Sequence, residues 1–247
     1  MSGYGEFARF YDGLMGDADY RRRADVFLRL LEEQGGKPAL VLDLACGTGS
    51  FSLELAKRGL EVIGADASGE MLGIAQEKAR DSGQSILFLC QPMERLDLYG
   101  TVDTVFCTLD SLNHLLTEDA LRTVFARVAL FLEPGGFFLF DVNTPYKHER
   151  VLEDNVFVRE SGEVFCVWQN RIAARQTVEI QLDFFERRGE VYVRTSETFR
   201  ERAYSLPVLR GLLEEAGLAF VGAYGEWGEK EISEDAQRVI CVAKSKK

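Results

Sequence analysis

Helix and strand signals alternate from Ala18 to Asp141, give way to β-rich alternation between Pro145 and Tyr204, and return as one helix and two strands near the end. These three observations predict an α/β protein: a seven-stranded doubly wound sheet with an inserted antiparallel β subdomain. The divisions are 1–145 with 205–247 for the sheet domain and 146–204 for the insertion. At 247 residues, 46% of them hydrophobic, the chain is long enough to bury such a core.

The first strand, Leu40 to Leu44, is a short apolar run between Pro38 and the turn Gly47-Thr48-Gly49. A helix follows, with Phe51, Leu53, Leu55 and Ala56 as apolar positions, Ser50 or Ser52 as cap and Gly59 as stop. Further strands are expected at Glu61 to Ala65, Ile86 to Cys90, Val102 to Cys107 and Phe137 to Asp141. Before the last of these, Leu121, Val124, Phe125, Val128 and Leu132 recur at helical spacing after Thr117, and Pro134-Gly135-Gly136 ends the helix. The chain closes with a helix at Leu206 to Ala216, strands at Ala219 to Tyr224 and Arg238 to Ala243, and a solvated tail from Lys244 to Lys247. Within the insertion, Arg187-Arg-Gly-Glu190 suggests a two-residue hairpin loop with Arg187 opposite Glu190. That register pairs Asp183 with Arg194 on one face and sets Val178, Ile180, Leu182 and Phe184 against Phe199, Glu197, Thr195 and Val193 on the other. An apolar sheet face needs something to cover, and it emerges where α/β domains bind ligands.

Gly47 and Gly49 remove side chains where a ligand approaches the main chain, and the helix behind them presents N–H groups to a carboxylate or phosphate. Asp66 ends the next strand, where an acidic residue takes ribose hydroxyls. A dinucleotide fingerprint needs a third glycine three places after the second, and Ser52 stands there, which argues against a dehydrogenase. Asp43, just before the glycines, is an acceptor suited to an ammonium group rather than a pyrophosphate. The pocket is therefore read as one for S-adenosylmethionine (SAM).

The run Asp43-Leu-Ala-Cys-Gly47-Thr48-Gly49 resembles the D-x-x-x-G-T-G first motif of class I SAM-dependent methyltransferases. The resemblance continues in order through Asp66, Met71, the Gln91-to-Met93 segment and Glu133-Pro-Gly-Gly136, and covers most of the chain. It implies a Rossmann-like fold, SAM as cofactor, and cofactor contacts at Tyr11, Tyr20, Asp43, Ala45, Gly47, Gly49, Asp66, Ala67, Met71, Gln91, Met93 and Leu109. Such enzymes often carry an acidic residue where this chain has Pro92, so the acceptor for the adenine amino group is Gln91, Glu94 or a main-chain carbonyl. Tyr4, Phe7, Phe10, Tyr11 and Tyr20 form, in similar enzymes, a lid across SAM; an amphipathic helix docked on the sheet is compatible with that role.

Thr108-Leu-Asp-Ser-Leu-Asn-His114 resembles the equivalent stretch of small-molecule N-methyltransferases, including those acting on amino sugars, which makes His114 a candidate base or else a structural histidine. Tyr11, His114 and Glu197 are the catalytic candidates, and Glu197 and Glu201 are either acceptor-binding carboxylates or residues of a solvated margin. Asn143-Thr-Pro-Tyr146 looks like an N-P-P-Y motif but follows the fifth strand rather than the fourth, and is read as a loop.

Forty acidic against 29 basic residues, a formal charge of −11, argue against a nucleic-acid partner. The first residues show no signal-peptide pattern and no 18-residue apolar run occurs, so no membrane partner and a cytoplasmic location are expected. Cys46, Cys90, Cys107, Cys166 and Cys241 show no CxxC spacing and are expected as free, buried thiols; with two histidines, no metal is expected. The expected function is methyl transfer to a small molecule, an amine favoured over a hydroxyl, with an RNA or protein methyltransferase and a non-catalytic SAM sensor as alternatives. The oligomeric state is left open.

Overall fold

The computed structural model describes Ala8, Phe10, Asp12, Gly13 and residues 18–247. Strands β1 (Leu40–Leu44), β2 (Glu61–Asp66), β3 (Leu87–Cys90), β4 (Val102–Cys107) and β5 (Leu132–Asn143) alternate with helices α1 (Tyr20–Glu33), α2 (Ser50–Lys57), α3 (Gly69–Asp81) and α4 (Glu118–Phe131). Strands β6 (Val156–Ser161), β7 (Val164–Ala174), β8 (Thr177–Arg188) and β9 (Val191–Arg202) follow, then helix α5 (Leu206–Glu215) and strands β10 (Leu218–Gly225) and β11 (Arg238–Ser245). Local chemistry sets several starts: Ser68 accepts the Met71 N–H to open α3, and Thr117 accepts the Ala120 N–H to open α4.

The main sheet has the order β10-β11-β5-β4-β1-β2-β3, and β11 alone runs antiparallel to its neighbours. Its order reverses beside β1, with β2 on one side and β4 on the other, so their carboxyl ends splay their loops apart and leave a crevice. Helices cover both faces. Phe27 of α1, Phe51 of α2 and Phe106 of β4 meet edge-on at 5.7–6.0 Å on one side, and Phe125 of α4 packs on Phe138 and Phe140 on the other.

Strands β6 to β9 form a separate antiparallel sheet in chain order. Its apolar face buries Val178, Ile180, Leu182 and Phe184 together with Ala8 and Met71, and the Phe10 ring lies 5.8 Å from that of Phe184. The described part of the N-terminal segment thus packs on the inserted sheet.

Four expectations are corrected. The hairpin loop is Gly189-Glu190 with Arg188 opposite Val191, so Asp183 faces Ser196 and Leu182 faces Glu197. The slip is by two residues, which preserves faces because side chains alternate with period two, and Arg194 still reaches Asp183 diagonally at 2.8 Å. Strand β5 begins at Leu132 and absorbs Pro134-Gly135-Gly136, with a register shift opposite Val102 to Thr104. A Cβ at Gly136 would lie 2.8 Å from the Asp103 carbonyl oxygen, so glycine permits that close pairing. The tail keeps Lys244, Lys246 and Lys247 exposed but is anchored: Ser245 is buried, Lys246 N–H bonds to the Gly217 carbonyl, and Lys247 Nζ reaches the carbonyls of Leu130 and Leu132. Cys90 is exposed, whereas the other four thiols are buried.

Candidate active site

The loops after β1, β2, β3 and β4 surround a cavity of about 280 Å³. Ala45, Gly47, Asp66 and Ala67 line it from β1 and β2, Gln91 to Glu94 from β3, and Leu109 to Ser111 and His114 from β4. Arg159, Cys166, Trp168, Leu182, Phe199 and Glu201 of the inserted sheet complete the wall.

At the β2 end, Asp66 Oδ2 accepts the Gly47 N–H and Oδ1 accepts the Ser68 N–H, each at 2.8 Å. Burial raises the Asp66 pKa, and these backbone donors work against that rise. Each oxygen keeps a second lone pair for a ligand. The two glycines serve different ends. Gly47 has φ 53°, and a Cβ there would meet nothing within 4 Å, whereas a Cβ at Gly49 would lie 2.8 Å from Ala75 Cβ. Gly47 leaves room at the cavity, and Gly49 lets the start of α2 pack on α3.

Asp43 is buried behind this turn and accepts the Ser52 hydroxyl at 2.5 Å. Burial pushes its carboxyl up to about 7, against the Ser52 bond. Ser52, at the third-glycine place of a dinucleotide turn, thus has a partner of its own. The start of α2 carries the Thr48 and Ser50 hydroxyls, which donate to Asp12 Oδ1 at 2.8 and 3.1 Å, and Asp12 also pairs with Lys78. A carboxylate does reach this helix end, and it comes from the chain's own N-terminal segment.

After β3, Gln91 Oε1 accepts the Asp97 N–H at 2.9 Å and Nε2 donates to the Asp97 carbonyl at 3.2 Å. Its amide holds the loop together, so Glu94 is the side-chain carboxylate that β3 offers the cavity.

The turn after β4 is held from behind. Asp141, fully buried on β5, accepts the N–H groups of Leu109 and Asp110 at 3.1 and 2.8 Å. Both residues are left-handed, at φ 56° and 53°, a conformation non-glycine residues keep only where surroundings enforce it. Arg23 of α1 and Arg238 of β11 neutralise Asp141 at 2.9 and 2.5 Å. Buried Asn113 donates to the carbonyls of Asn143 and Arg202, tying the short 3-10 helix Ser111–His114 to β5 and β9. Asn143, the first residue of the N-T-P-Y run, ends strand β5 rather than lying in a loop as expected, and donates from Nδ2 to Asp110 Oδ2 at 2.8 Å and Glu201 Oε2 at 3.2 Å, a bracing role.

Four titratable groups meet here. Burial raises Asp110, but Arg238 and Lys147 outweigh it and hold the carboxyl well below the usual range. Glu201 is pushed up to about 8 by burial, with Asp110 adding to the rise. Burial lowers His114 against the pull of Asp110 and Asp66, so the imidazole is neutral near pH 7. Burial likewise lowers Lys147, with Arg238 adding to the fall.

Residues 41–136 match a family model described as a methyltransferase domain. The chain is 35% identical to "Putative methyltransferase GWCH70_2453" of Geobacillus sp. (strain WCH70), covering 98% of this chain and 99% of that one. It is 34% identical to "Putative methyltransferase YqeM" of Bacillus subtilis (strain 168), over 99% and 98%. The crystal structure of a SAM-dependent methyltransferase from Clostridium acetobutylicum ATCC 824 superposes with a TM-score of 0.89 at 32% identity, over 99% of each chain. The chain belongs to the SAM-dependent methyltransferases.

SAM is the cofactor of this methyltransferase, and the open space at Gly47 with the fixed Asp66 carboxylate fits it. Of the sequence-predicted contacts, Ala45, Gly47, Asp66, Ala67, Met71, Gln91, Met93 and Leu109 line one cavity, as does His114. Asp43, Gly49 and Tyr20 do not line it: the first two brace the turn, and Tyr20 packs with the α1 core. Tyr11 lies outside the described residues. Glu197 is half-buried opposite Leu182 and does not line the cavity, whereas its β9 neighbours Phe199 and Glu201 do. Sequence reasoning missed Arg159, Cys166 and Trp168. Extending the period-two pattern from β8 into β7, where Cys166 faces Phe184 and Trp168 faces Leu182, would have found the latter two.

Proposed function

We propose that this methyltransferase methylates a small-molecule amine held between the parallel sheet and the inserted sheet. One observation carries the reading: the cavity at the strand ends that is assigned to SAM is roofed by Cys166, Trp168, Leu182 and Phe199 of the inserted sheet, and its whole volume of about 280 Å³ is near the lower end of small-molecule sites. Asp66 and Asp110 line the same space and favour an amine arriving as an ammonium over a neutral hydroxyl. The overall charge of −11 disfavours nucleic acid as acceptor.

When bound, SAM supplies a methyl group activated on a sulfonium, whose sulfur keeps the electron pair of the broken bond. Asp66 holds the ribose hydroxyls beside Gly47, Ala67, Met71 and Met93 offer apolar surface to the adenine, and Glu94 accepts from its amino group. Trp168, Phe199 and Leu182 hold the acceptor in line. Such alignment supplies ~7–11 kcal/mol of the barrier. His114, neutral near pH 7, takes the proton that an ammonium acceptor must lose, a contribution of ~10²–10⁴-fold.

Incubation with methyl-labelled SAM and a metabolite extract, and separately with RNA, tests the acceptor class; label appearing in RNA alone would refute it. His114→Asn is expected to lower turnover by roughly 10²-fold while SAM binds as before. Full turnover in that variant would remove His114 from the chemistry.

A further inference from the structure

Glu201 lies between two imidazoles. Its Oε1 is 3.9 Å from His114 Nε2 and its Oε2 is 3.7 Å from His148 Nε2. His148 is buried in the one-turn π-helix Lys147–Leu152, with Nδ1 3.1 Å from the Gln176 carbonyl oxygen. A carbonyl only accepts, so Nδ1 carries the hydrogen and Nε2 presents a lone pair. Among the described residues that buried Nε2 has no hydrogen-bond partner, and Glu201 Oε2 is the carboxylate oxygen facing it.

We propose that Glu201, oriented by His148, holds His114 in the tautomer whose Nε2 carries the hydrogen, leaving Nδ1 to receive the acceptor's proton. This rests on the reading of His114 as the base. Glu201 points its own proton from Oε2 to His148 Nε2, and Oε1 is then left to accept from His114 Nε2–H. Burial supports this by pushing Glu201 up to about 8 and His148 down to about 4, so that near pH 7 the first is a donor and the second an acceptor. The groups facing Glu201 are Asn143 of β5, Lys147 and His148 of the π-helix, His114 and Asp110 after β4, and Arg238 of β11. Asn143 Oδ1 accepts from Lys147 Nζ at 2.9 Å, which fixes its amide so that Nδ2 donates to Glu201. Both imidazole separations are longer than a formed hydrogen bond, as catalytic bonds often are until substrate closes the site.

The ammonium acceptor first passes a proton to His114 Nδ1, which frees the nitrogen lone pair; that pair then forms the new bond to the methyl carbon while the carbon–sulfur pair stays on sulfur. The resulting imidazolium is held by its Nε2–H to Glu201 Oε1, and Glu201 neither gains nor loses a proton. Glu201 and His148 are therefore positioning residues.

The chain has two histidines, so long-range nitrogen–proton NMR of nitrogen-15-labelled protein resolves both tautomers without ambiguity. The expected result is Nδ1–H for His148 and Nε2–H for His114. Glu201→Leu and His148→Phe should let His114 populate both tautomers and lower kcat by roughly 10-fold with the Kd for SAM unchanged, the scale of lost outer-shell orientation. Glu201→Gln, whose amide can donate to His148 and accept from His114, should restore the Nε2–H tautomer and recover kcat relative to Glu201→Leu. An Nδ1–H His114 in the wild type, or a tautomer unmoved by Glu201→Leu, overturns the proposal. If His114→Asn keeps full turnover while the tautomers respond as described, the base reading fails and the Glu201–His148 control of His114 stands.

Discussion

Asp141→Ala tests how far the cofactor loop depends on charge buried beneath it. The carboxylate is fully buried and satisfies four donors: Arg23 and the Leu109 N–H on Oδ2, Arg238 and the Asp110 N–H on Oδ1. Alanine leaves both guanidinium groups short of a counter-charge, although Arg238 keeps Asp110 at 2.6 Å and Arg23 keeps Glu226 at 3.2 Å. Removing one partner from a buried pair costs about 3–5 kcal/mol, because the remaining charge stays desolvated. The retained contacts reduce that figure and the two orphaned N–H groups increase it, so ~3–5 kcal/mol is the expectation. For a chain of this length the Tm should fall by roughly 6–20 °C. SAM affinity should fall as well, since Asp141 accepts both N–H groups of the left-handed Leu109–Asp110 turn, and the Arg238 and Asn143 contacts that remain hold the Asp110 side chain rather than the backbone. Guanidinium unfolding measures the first effect and titration calorimetry the second. A loss below about 1 kcal/mol together with unchanged SAM affinity would refute the reasoning, because buried ion pairs do not break so gently.

Asp66→Ala should weaken SAM by ~1.5–3 kcal/mol, the scale of hydrogen bonds to a charged group; calorimetry showing wild-type affinity would take Asp66 out of the site. Trp168→Ala and Phe199→Ala should reduce turnover while leaving SAM affinity near wild type, because both line the acceptor side; loss of SAM binding without unfolding would show that the inserted sheet holds the cofactor too. Asp43 sets a pH dependence. Its folded pKa is raised from 3.8 to about 7, so its contribution to stability is full below about 4 and is lost as pH rises through about 7. The loss is on the order of 4 kcal/mol at 1.36 kcal/mol per pKa unit. Asp43→Asn should therefore lose less stability than wild type between pH 4 and pH 8, and identical pH profiles in denaturant would disprove the buried-carboxyl account.

The sequence by itself determined the parallel half of the fold and the cofactor turn. Apolar runs punctuated by glycine and proline are local signals, and Asp66 sits at a strand end, so Gly47, Asp66 and Met71 could be placed at the cavity without tertiary information. Alternation in β8 and β9 likewise assigned the faces of the insertion correctly, although the register was two residues off. Period two specifies a face; the turn geometry at Gly189-Glu190 specifies the register. Tertiary structure alone decided which charges meet. Arg23, Asp141 and Arg238 lie on α1, β5 and β11, and Glu201 meets His114 and His148 from elements far apart in the chain. No periodicity encodes such encounters. They arise where three layers close on one crevice, and low dielectric there turns ordinary side chains into groups with shifted proton affinity. The same closure explains why Asp43 and Gly49 brace the turn rather than line the cavity: the motif specifies which residues stand in the turn, and packing against Ser52 and Ala75 decides which way they face.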